Sequence, residues 1–377
     1  MAYQNAPLDP RIRSRHVDNG NGLDMHILEA GFEQPGRPCV LFLHGFPDLA
    51  YSWRKILGPI ASAGYHAVAP DLRGYGLTTG WEDGYDVDLR PFRLLNRVQD
   101  ALGLVFGLGH SAVATVVGHD VGTVIAAWCG LVRPDVFPAV VVSGPVGGPP
   151  SLAVDSTAAA GVDPVHYDLA QLDPPRRHYQ WYYSTREAND NMLHCDQGVH
   201  AFLRAYFHFK SADWEGNKPF PLAAWTADEL AKMPEYYIMP MGRGMAETVA
   251  PEMPSAAAIA QCEWLPDDEL QVYATEYQRS GFQGGLQHYH GATTGVFDDE
   301  LSLFSGRTLD VPTRIIAGEG DWGFFQKPGL ERTVYDYCTN LDGTFRLKGA
   351  GHWVQQEQPE QYTRLLLEFL RSVRSQQ

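Results

Sequence analysis

The sequence predicts an α/β fold with a doubly wound, mostly parallel sheet and an inserted helical lid. Apolar strands alternate with helices over the first 143 residues, a rhythm that is typical of parallel sheets. The rhythm stops between residues 144 and 310, where Pro, Trp, Tyr and Met are frequent and strand signals are few. It resumes at Val311. The strands on both sides of the interruption are therefore expected to share one sheet.

Each element of the predicted core has its own signal. Arg13–Val17 and Leu23–Ala30 flank the run Asn19-Gly20-Asn21-Gly22, which is typical of a β-hairpin. Short apolar runs rich in β-branched residues predict the other strands: Pro38–Leu43, His66–Pro70, Ala114–Gly118, Phe137–Ser143, Val311–Gly318 and Thr344–Leu347. Helical periodicity predicts the core helices: Tyr51–Ala63, Pro91–Leu108, Thr123–Leu131 and a last helix that begins at Pro359.

The middle of the chain predicts a separate helical unit. A Pro-, Gly- and Ala-rich linker, Gly144–Ala160, marks its start. One helix is predicted at Asp267–Ser280, because Leu270, Tyr273 and Tyr277 fall on one face. We therefore assign residues 1–143 and 311–377 to one α/β core and residues 144–310 to a helical lid, or cap.

Composition limits the class of protein. The 377 residues are 44% hydrophobic, which supports a large core, and the net charge of −16 argues against nucleic acid and anionic membranes as partners. No apolar run approaches the length of a membrane span, and the polar Met1–His16 predicts no secretory signal. The cysteines are scattered without a CxxC pair, which favours reduced thiols and a cytoplasmic location. They are Cys39, Cys129, Cys195, Cys262 and Cys338.

Asp120 stands in a turn that is typical of a catalytic nucleophile. A β-branched strand runs into Gly118-His119-Asp120-Val121-Gly122, and a helix follows. A Gly-x-nucleophile-x-Gly turn between a strand and a helix is the nucleophile elbow of the α/β-hydrolase fold. A carboxylate is a poor nucleophile toward acyl groups, but it displaces leaving groups from saturated carbon and forms an alkyl-enzyme ester. The aspartate therefore predicts chemistry at a saturated carbon.

Two further residues are expected beside Asp120. Asp321 follows the strand that ends at Gly318, and His352 follows the turn Gly349-Ala350-Gly351. The chain order of nucleophile, acid and histidine is that of the α/β-hydrolases. All three residues lie where predicted strands end, and ligands of such sheets bind at that edge.

An oxyanion hole is also predicted. His44-Gly45-Phe46-Pro47 directly follows another strand. The backbone N–H groups of Phe46 and Val121 are expected to bind the oxyanion of a tetrahedral intermediate. No metal site is expected, because His288-x-His290 has no Asp, Glu or Cys at ligand spacing.

These core motifs resemble those of the soluble epoxide hydrolases of the α/β-hydrolase superfamily. The matching segments are His44-Gly45-Phe46-Pro47 (HGxP), Asp71-Leu72-Arg73-Gly74-Tyr75-Gly76 (DxRGxG), Gly118-His119-Asp120-Val121-Gly122 (the nucleophile motif) and Gly351-His352-Trp353 (GHW). The resemblance covers the chain from its N-terminal third to its C-terminus. It implies an α/β-hydrolase fold with a cap.

The predicted lid is similar to the same family. The segment from Ser280 to Tyr289 resembles the family's SGFxGxLxxY motif, which assigns Tyr289 the place over the nucleophile. His178-Tyr179-Gln180-Trp181-Tyr182-Tyr183 resembles the early-lid segment that supplies a second tyrosine. That resemblance points to Tyr179, with Tyr182 and Tyr183 as alternatives in register. The lid is longer than the family's usual one, by an insert around Trp214–Met253.

The resemblance implies opening of an epoxide to a vicinal diol through an ester of Asp120. Tyr179 and Tyr289 are expected to donate to the epoxide oxygen, while Asp321 orients His352. No cofactor is expected. Two alternatives remain: a haloalkane or haloacid dehalogenase with the same nucleophile, and a non-catalytic binding protein on the same fold. Val121 counts against the first, because haloalkane dehalogenases usually carry Trp at that position.

The substrate is expected to be a small molecule, bound without nucleic acid or membrane. The many aromatic and Met residues of the lid favour an apolar or aromatic epoxide. His44, His119 and Trp181 are expected to contact it. The oligomeric state and the identity of the epoxide stay open.

Overall fold

A computed structural model describes residues 6–150 and 163–375. The first five residues of the polar N-terminal segment and residues 151–160 of the predicted linker lie outside these ranges. Within them the chain forms an eight-stranded sheet, covering helices and a separate helical lid. The predicted α/β-hydrolase fold is confirmed.

The strands follow the predicted order along the chain. They are β1 (Arg13–Asp18), β2 (Asp24–Ala30), β3 (Cys39–Leu43), β4 (His66–Pro70), β5 (Val113–His119), β6 (Val140–Ser143), β7 (Arg176–His178), β8 (Ile238–Pro240), β9 (Thr313–Gly318) and β10 (Leu341–Leu347). All but β7 and β8 belong to the large sheet, in the order β1-β2-β4-β3-β5-β6-β9-β10.

The sheet is antiparallel at one edge and parallel elsewhere. Strand β2 pairs antiparallel with both β1 and β4, and every further pair from β4 to β10 is parallel. Strands β3, β6 and β9 are buried along their whole length, because helices cover both faces of the parallel part. The carboxyl ends of β3, β5, β9 and β10 therefore meet at one edge, where the predicted catalytic turns follow.

The helices of the described residues fall into three groups. The first group covers the sheet before the lid: α1 (Arg54–Ser62), α2 (Leu94–Gly107) and α3 (Val121–Val132). The lid contains α4 (Val165–Ala170), α5 (Tyr179–Tyr183), α6 (Ala188–Leu193), α7 (Gly198–Lys210), α8 (Ala227–Leu230), α9 (Met245–Val249), α10 (Ala256–Gln261), α11 (Asp267–Ser280), α12 (Gln283–Thr294) and α13 (Asp298–Ser302). The last group returns to the sheet: α14 (Leu330–Tyr337), α15 (Val354–Glu357) and α16 (Pro359–Arg374).

The predicted helix Asp267–Ser280 matches α11 at both ends, and the last helix begins at Pro359 as expected. Some other core elements differ by a few residues; the helix predicted at Tyr51–Ala63, for example, starts with a 3₁₀ turn before α1. The proposed extent of the lid is residues 144–310.

One lid feature was not predicted. Strands β7 and β8 form an antiparallel ribbon that pairs Arg176 with Pro240 and His178 with Ile238. Strand β8 lies inside the long insert around Trp214–Met253, so this insert pairs with the residues directly before α5.

None of the helices in the described ranges is both long and apolar enough to cross a membrane.

Candidate active site

Asp120 lies on a sharp turn between β5 and α3. Its backbone has a φ of 51°, in the region that residues with a side chain rarely adopt. The flanking glycines allow this turn: a Cβ on Gly118 would lie 2.2 Å from the carbonyl oxygen of Gly122, and one on Gly122 would lie 2.3 Å from that of Leu43. The strain lifts the Asp120 side chain off the end of the sheet, as a nucleophile elbow requires.

The two carboxylate oxygens of Asp120 have different surroundings. Oδ1 accepts a hydrogen bond of 2.9 Å from the backbone N–H of Phe46, in the turn after β3. Gly45 allows this approach, because a Cβ there would lie 2.3 Å from the Cβ of Asp120. Oδ2 lies 3.5 Å from Nε2 of His352. The Asp120 side chain is 15% exposed, so a small molecule can reach it.

His352 lies between two carboxylates. Its Nδ1 is 3.3 Å from Oδ1 of Asp321, and its Nε2 faces Asp120. Asp321 is held in turn by the backbone N–H of Gly323, at 2.9 Å. The backbone N–H of His352 donates to the carbonyl oxygen of Lys210 at 2.9 Å, which ties the histidine turn to the lid. The structure therefore brings the three predicted triad residues together, with His352 hydrogen-bonded to Asp321 and within ion-pair distance of Asp120.

Electrostatics favour charged carboxylates beside the histidine. Burial opposes ionisation of Asp120 and Asp321, but contact with His352 holds the pKa of each below its usual range. Burial and the charge of Lys210 lower the pKa of His352, whereas the two carboxylates raise it, and the net effect is upward. The site therefore supplies an ionised nucleophile and a histidine whose charged form is stabilised.

A cavity of about 350 Å³ opens above Asp120 between the core and the lid. Its walls include Asp120, Asp321 and His352 from the core and Tyr179 and Tyr289 from the lid. Apolar and polar side chains of both regions complete it, among them Val121, Val124, Gln180, Tyr237, His288, Gln326, Lys327 and Leu330. The volume lies within the range of small-molecule sites, about 300–1,000 Å³.

The two predicted lid tyrosines both line this cavity and pack edge to face against each other. The rings of Tyr179 and Tyr289 are 6.0 Å apart, centroid to centroid. Burial and then the charge of Asp120 raise the pKa of both hydroxyls, so they stay protonated and able to donate. Tyr183 instead donates to the hydroxyl of Tyr206 at 3.2 Å, and neither it nor Tyr182 lines the cavity. Of the three alternatives in register, Tyr179 is therefore the one that lies on the cavity wall.

The prediction that His44 and His119 contact the substrate is wrong. Both side chains are fully buried. His44 donates from Nδ1 to the carbonyl of Gly45 and accepts from the N–H of Leu72 at Nε2. His119 donates from Nε2 to the carbonyl oxygen of His352 at 2.8 Å, and its Nδ1 lies 2.8 Å from Asp48. Both rings support the turns that carry catalytic groups.

The expected substrate contact of Trp181 needs the same correction. Its indole packs against the rings of His166 and His178 inside the lid. It is not among the described residues that line the cavity. Tyr179 and Gln180 of helix α5 line the cavity. Residue 181 is rotated by about 200° from residue 179 around the helix axis, so its side chain lies on a different face.

Two residues near the predicted triad were not predicted from the sequence. Lys210 is 3% exposed, and its ammonium lies between 5.2 and 5.7 Å from the ring centres of four aromatic side chains. Glu357 is half-buried and accepts from the backbone N–H groups of Gly351, Trp353 and Ala212. The one available signal for Glu357 is its place five residues after His352; Lys210 has no local signal.

Comparison with known proteins first defines the class. A family model described as the alpha/beta hydrolase fold matches residues 38–359. The chain is 30% identical to epoxide hydrolase B of Mycobacterium tuberculosis, over 94% of this chain and 98% of that protein. It is 32% identical to epoxide hydrolase A of the same organism, over 94% and 96% of the two chains.

Solved structures agree with these relatives. An epoxide hydrolase from an endophytic Streptomyces superposes with a TM-score of 0.75 at 28% identity, covering 97% of each chain. The chain therefore belongs to the epoxide hydrolase family of the α/β-hydrolases.

Proposed function

We propose that this chain hydrolyses a small epoxide to a vicinal diol through a covalent ester of Asp120. The observation that carries the proposal is the asymmetry of this carboxylate. Oδ1 is held by the N–H of Phe46, while Oδ2 faces His352 and the cavity. One oxygen is therefore fixed in an oxyanion-binding position, and the other is available for attack.

In the first step, Oδ2 of Asp120 attacks a ring carbon from the face opposite the C–O bond that breaks. The C–O electron pair moves to the epoxide oxygen. Tyr179 and Tyr289 donate to that oxygen and one of them supplies its proton, so the product is a hydroxyalkyl ester. Both tyrosines line the same cavity as Asp120, which supports this role.

In the second step, His352 takes a proton from water, which attacks the ester carbonyl of Asp120. Asp321 orients the ring and stabilises the imidazolium. The oxyanion develops on Oδ1, where the N–H groups of Phe46 and Val121 stabilise it. Collapse releases the diol and restores the carboxylate, and proton return from His352 re-forms the tyrosine hydroxyl. The scheme uses no metal and no organic cofactor.

The dehalogenase alternative is not favoured. A halide leaving group needs N–H donors around it, and Val121 offers no side-chain donor. Two buried, protonated tyrosines instead suit a developing alkoxide. A non-catalytic binding role would leave the strain at Asp120 and the paired His352 without a purpose.

The substrate is proposed to be an apolar or aromatic epoxide. Val121, Val124 and Leu330 supply apolar wall, and Tyr237 adds an aromatic ring beside Tyr179. Trp181, which the sequence suggested as part of this wall, packs against His166 and His178 of the lid instead. Scattered cysteines without a disulfide among the described residues suit the proposed cytoplasmic location.

The origin of the diol oxygen tests the covalent step. Enzyme in excess over epoxide is run for one turnover in ¹⁸O-labelled water. We expect mostly unlabelled diol, because the transferred oxygen comes from Asp120, and label in the peptide that contains Asp120. Diol that is fully labelled on the first turnover would exclude the ester and make Asp120 a general base.

A further inference from the structure

A second cluster of reactive side chains lies at the opposite edge of the sheet from the catalytic turns. Cys39 begins β3, His66 begins β4, and His110 lies in the loop between α2 and β5. Strands β3 and β4 are neighbours, and Cys39 pairs in register with His66. Paired residues of neighbouring strands point to the same face, so the thiol and the imidazole lie side by side.

The three side chains are close enough to share one ion. One donor atom from each of Cys39, His66 and His110 lies within 4.8 Å of the others. Nδ1 of His66 is 2.9 Å from Nε2 of His110. In a tetrahedral zinc site, bonds of about 2.0 Å to nitrogen and 2.3 Å to sulfur separate the donors by about 3.3–3.6 Å. Small rotations of these side chains therefore reach metal-binding geometry.

Glu29 prepares His66 for this role. Its buried carboxylate lies 2.8 Å from Nε2 of His66 and also bonds Arg13 and Arg15. Two arginines keep the carboxylate an acceptor, so the Nε2 proton of His66 is directed at Glu29. The lone pair of Nδ1 is then directed toward His110 and Cys39. Metal-bound histidines characteristically carry such a carboxylate on the second nitrogen.

We propose that Cys39, His66 and His110 form a binding site for Zn²⁺. A thiolate and two imidazoles match the preference of this ion, and the partly exposed His110 leaves a path for entry and for a water as fourth ligand. Binding releases the thiol proton of Cys39 to solvent. The Nε2 proton of His110 is also displaced, so that ring binds as its Nδ1–H tautomer.

The bound ion raises the stability of the fold and takes no part in the reaction at Asp120. It connects the amino ends of β3 and β4 with the loop before β5, whereas Asp120 follows the carboxyl end of β5. An ion that binds the folded chain more tightly than the unfolded chain raises its stability by mass action. The inference is independent of the proposed epoxide hydrolysis.

Cobalt substitution tests the site directly. The metal-free full-length protein is titrated with Co²⁺, which reports tetrahedral geometry by visible absorption and a thiolate ligand by near-UV charge transfer. We expect both signals at one equivalent, their loss on addition of Zn²⁺, and a rise in Tm with Zn²⁺. Cys39→Ser should remove the charge-transfer band and weaken Zn²⁺ binding roughly 100-fold or more, a loss at least as large as that for outer ligands.

Two further variants keep the test decisive. His110→Gln changes a partly exposed loop residue, so it reports on the site even if Cys39→Ser folds poorly, and it should weaken binding as well. Cys195→Ser removes a more accessible thiol and should leave the Co²⁺ spectrum unchanged. Absence of the charge-transfer band in the wild-type protein, or the same band in Cys39→Ser, would overturn the proposal. Epoxide turnover should not depend on Zn²⁺ in any of these proteins.

Discussion

The core and the lid build the same cavity by different physical means. In the core, Asp120 lies on a strained turn with a φ of 51°. Its carboxylate is held there by a hydrogen bond from the backbone N–H of Phe46. In the lid, Tyr289 is held by ring packing: its ring contacts those of Phe46 at 5.8 Å and Tyr183 at 5.0 Å, centroid to centroid. Ring packing tolerates many sequences, whereas a strained turn tolerates few.

The long insert shows how the lid achieves its precision. Its strand β8 pairs with β7, and the N–H of Tyr179 donates to the carbonyl oxygen of Tyr237 at 2.8 Å. The rings of the same two tyrosines are 5.1 Å apart. The insert therefore fixes the first lid tyrosine from outside its own helix. The comparison predicts that loss of the core nucleophile stops the chemistry, whereas loss of one lid tyrosine slows it.

The largest effect is expected at the core nucleophile. Asp120→Ala should reduce turnover by about 10⁴-fold or more, because no ester can form. His352→Gln should block only the second step, so the ester accumulates. After incubation with a good epoxide, intact-mass spectrometry should show the His352→Gln protein with the added mass of one substrate molecule. The Asp120→Ala protein should show no added mass. Unmodified His352→Gln, under conditions where the wild type turns over, contradicts the assigned order of steps.

The lid tyrosines should give the next largest effect. Tyr179→Phe or Tyr289→Phe should each slow ester formation by about 100-fold, the usual cost of one oxyanion donor, because the other tyrosine remains. The double variant should nearly abolish it, since no acid is left for the alkoxide. Tyr183→Phe is the matched control, because its hydroxyl bonds Tyr206 outside the cavity. Stopped-flow measurement of the alkylation rate tests this prediction. If Tyr183→Phe slowed alkylation more than Tyr179→Phe does, the role of the first lid tyrosine would pass to Tyr183.

Glu357 should stabilise the fold by holding the turn that carries His352. Burial raises its pKa to about 8, although three backbone N–H groups oppose the shift. Glu357→Ala leaves these buried donors unpaired, and a loss of about 3 kcal/mol in the free energy of unfolding is expected. Glu357→Gln keeps an acceptor and should lose less. Urea denaturation measures both variants, and equal stability of Ala and Gln would show that the hydrogen bonds contribute nothing.

Lys210 should give the smallest effect, a shift in pH dependence. Neutral His352 is the base of the second step, so the rate falls as pH drops through its pKa. The Lys210 charge lowers that pKa, and its removal therefore raises it. Lys210→Met should therefore move the acid limb of the ester-hydrolysis rate to higher pH. Lys210→Arg should restore most of the wild-type profile, and an unshifted limb in Lys210→Met would exclude the electrostatic role.

The core was predictable because its signals are local. A β-branched strand, Gly-x-Asp-x-Gly and a following helix are together typical of an elbow, and both glycines lie where a Cβ would meet a neighbouring backbone. The periodicity of Asp267–Ser280 predicted α11 with the right ends, because one face of that helix is buried and the other is polar. The expected positions of Asp321 and His352 follow from strand ends alone.

The errors concern burial, which depends on distant residues. His44 and His119 stand beside catalytic residues in sequence, yet Leu72 and Asp48 bind them from other segments. Trp181 is two residues from Tyr179, and two residues rotate a helical side chain by about 200°, so its indole packs on His166 and His178 of the lid instead.

The sequence by itself determined the fold, the order of the triad and the type of nucleophile, because short-range sterics and residue chemistry decide these. Only the tertiary structure decided which lid tyrosines line the cavity, that the buried charge of Lys210 lies near His352, and that three residues 27 to 71 positions apart meet at the far edge of the sheet. These features depend on contacts between residues remote in sequence, which local propensity does not encode.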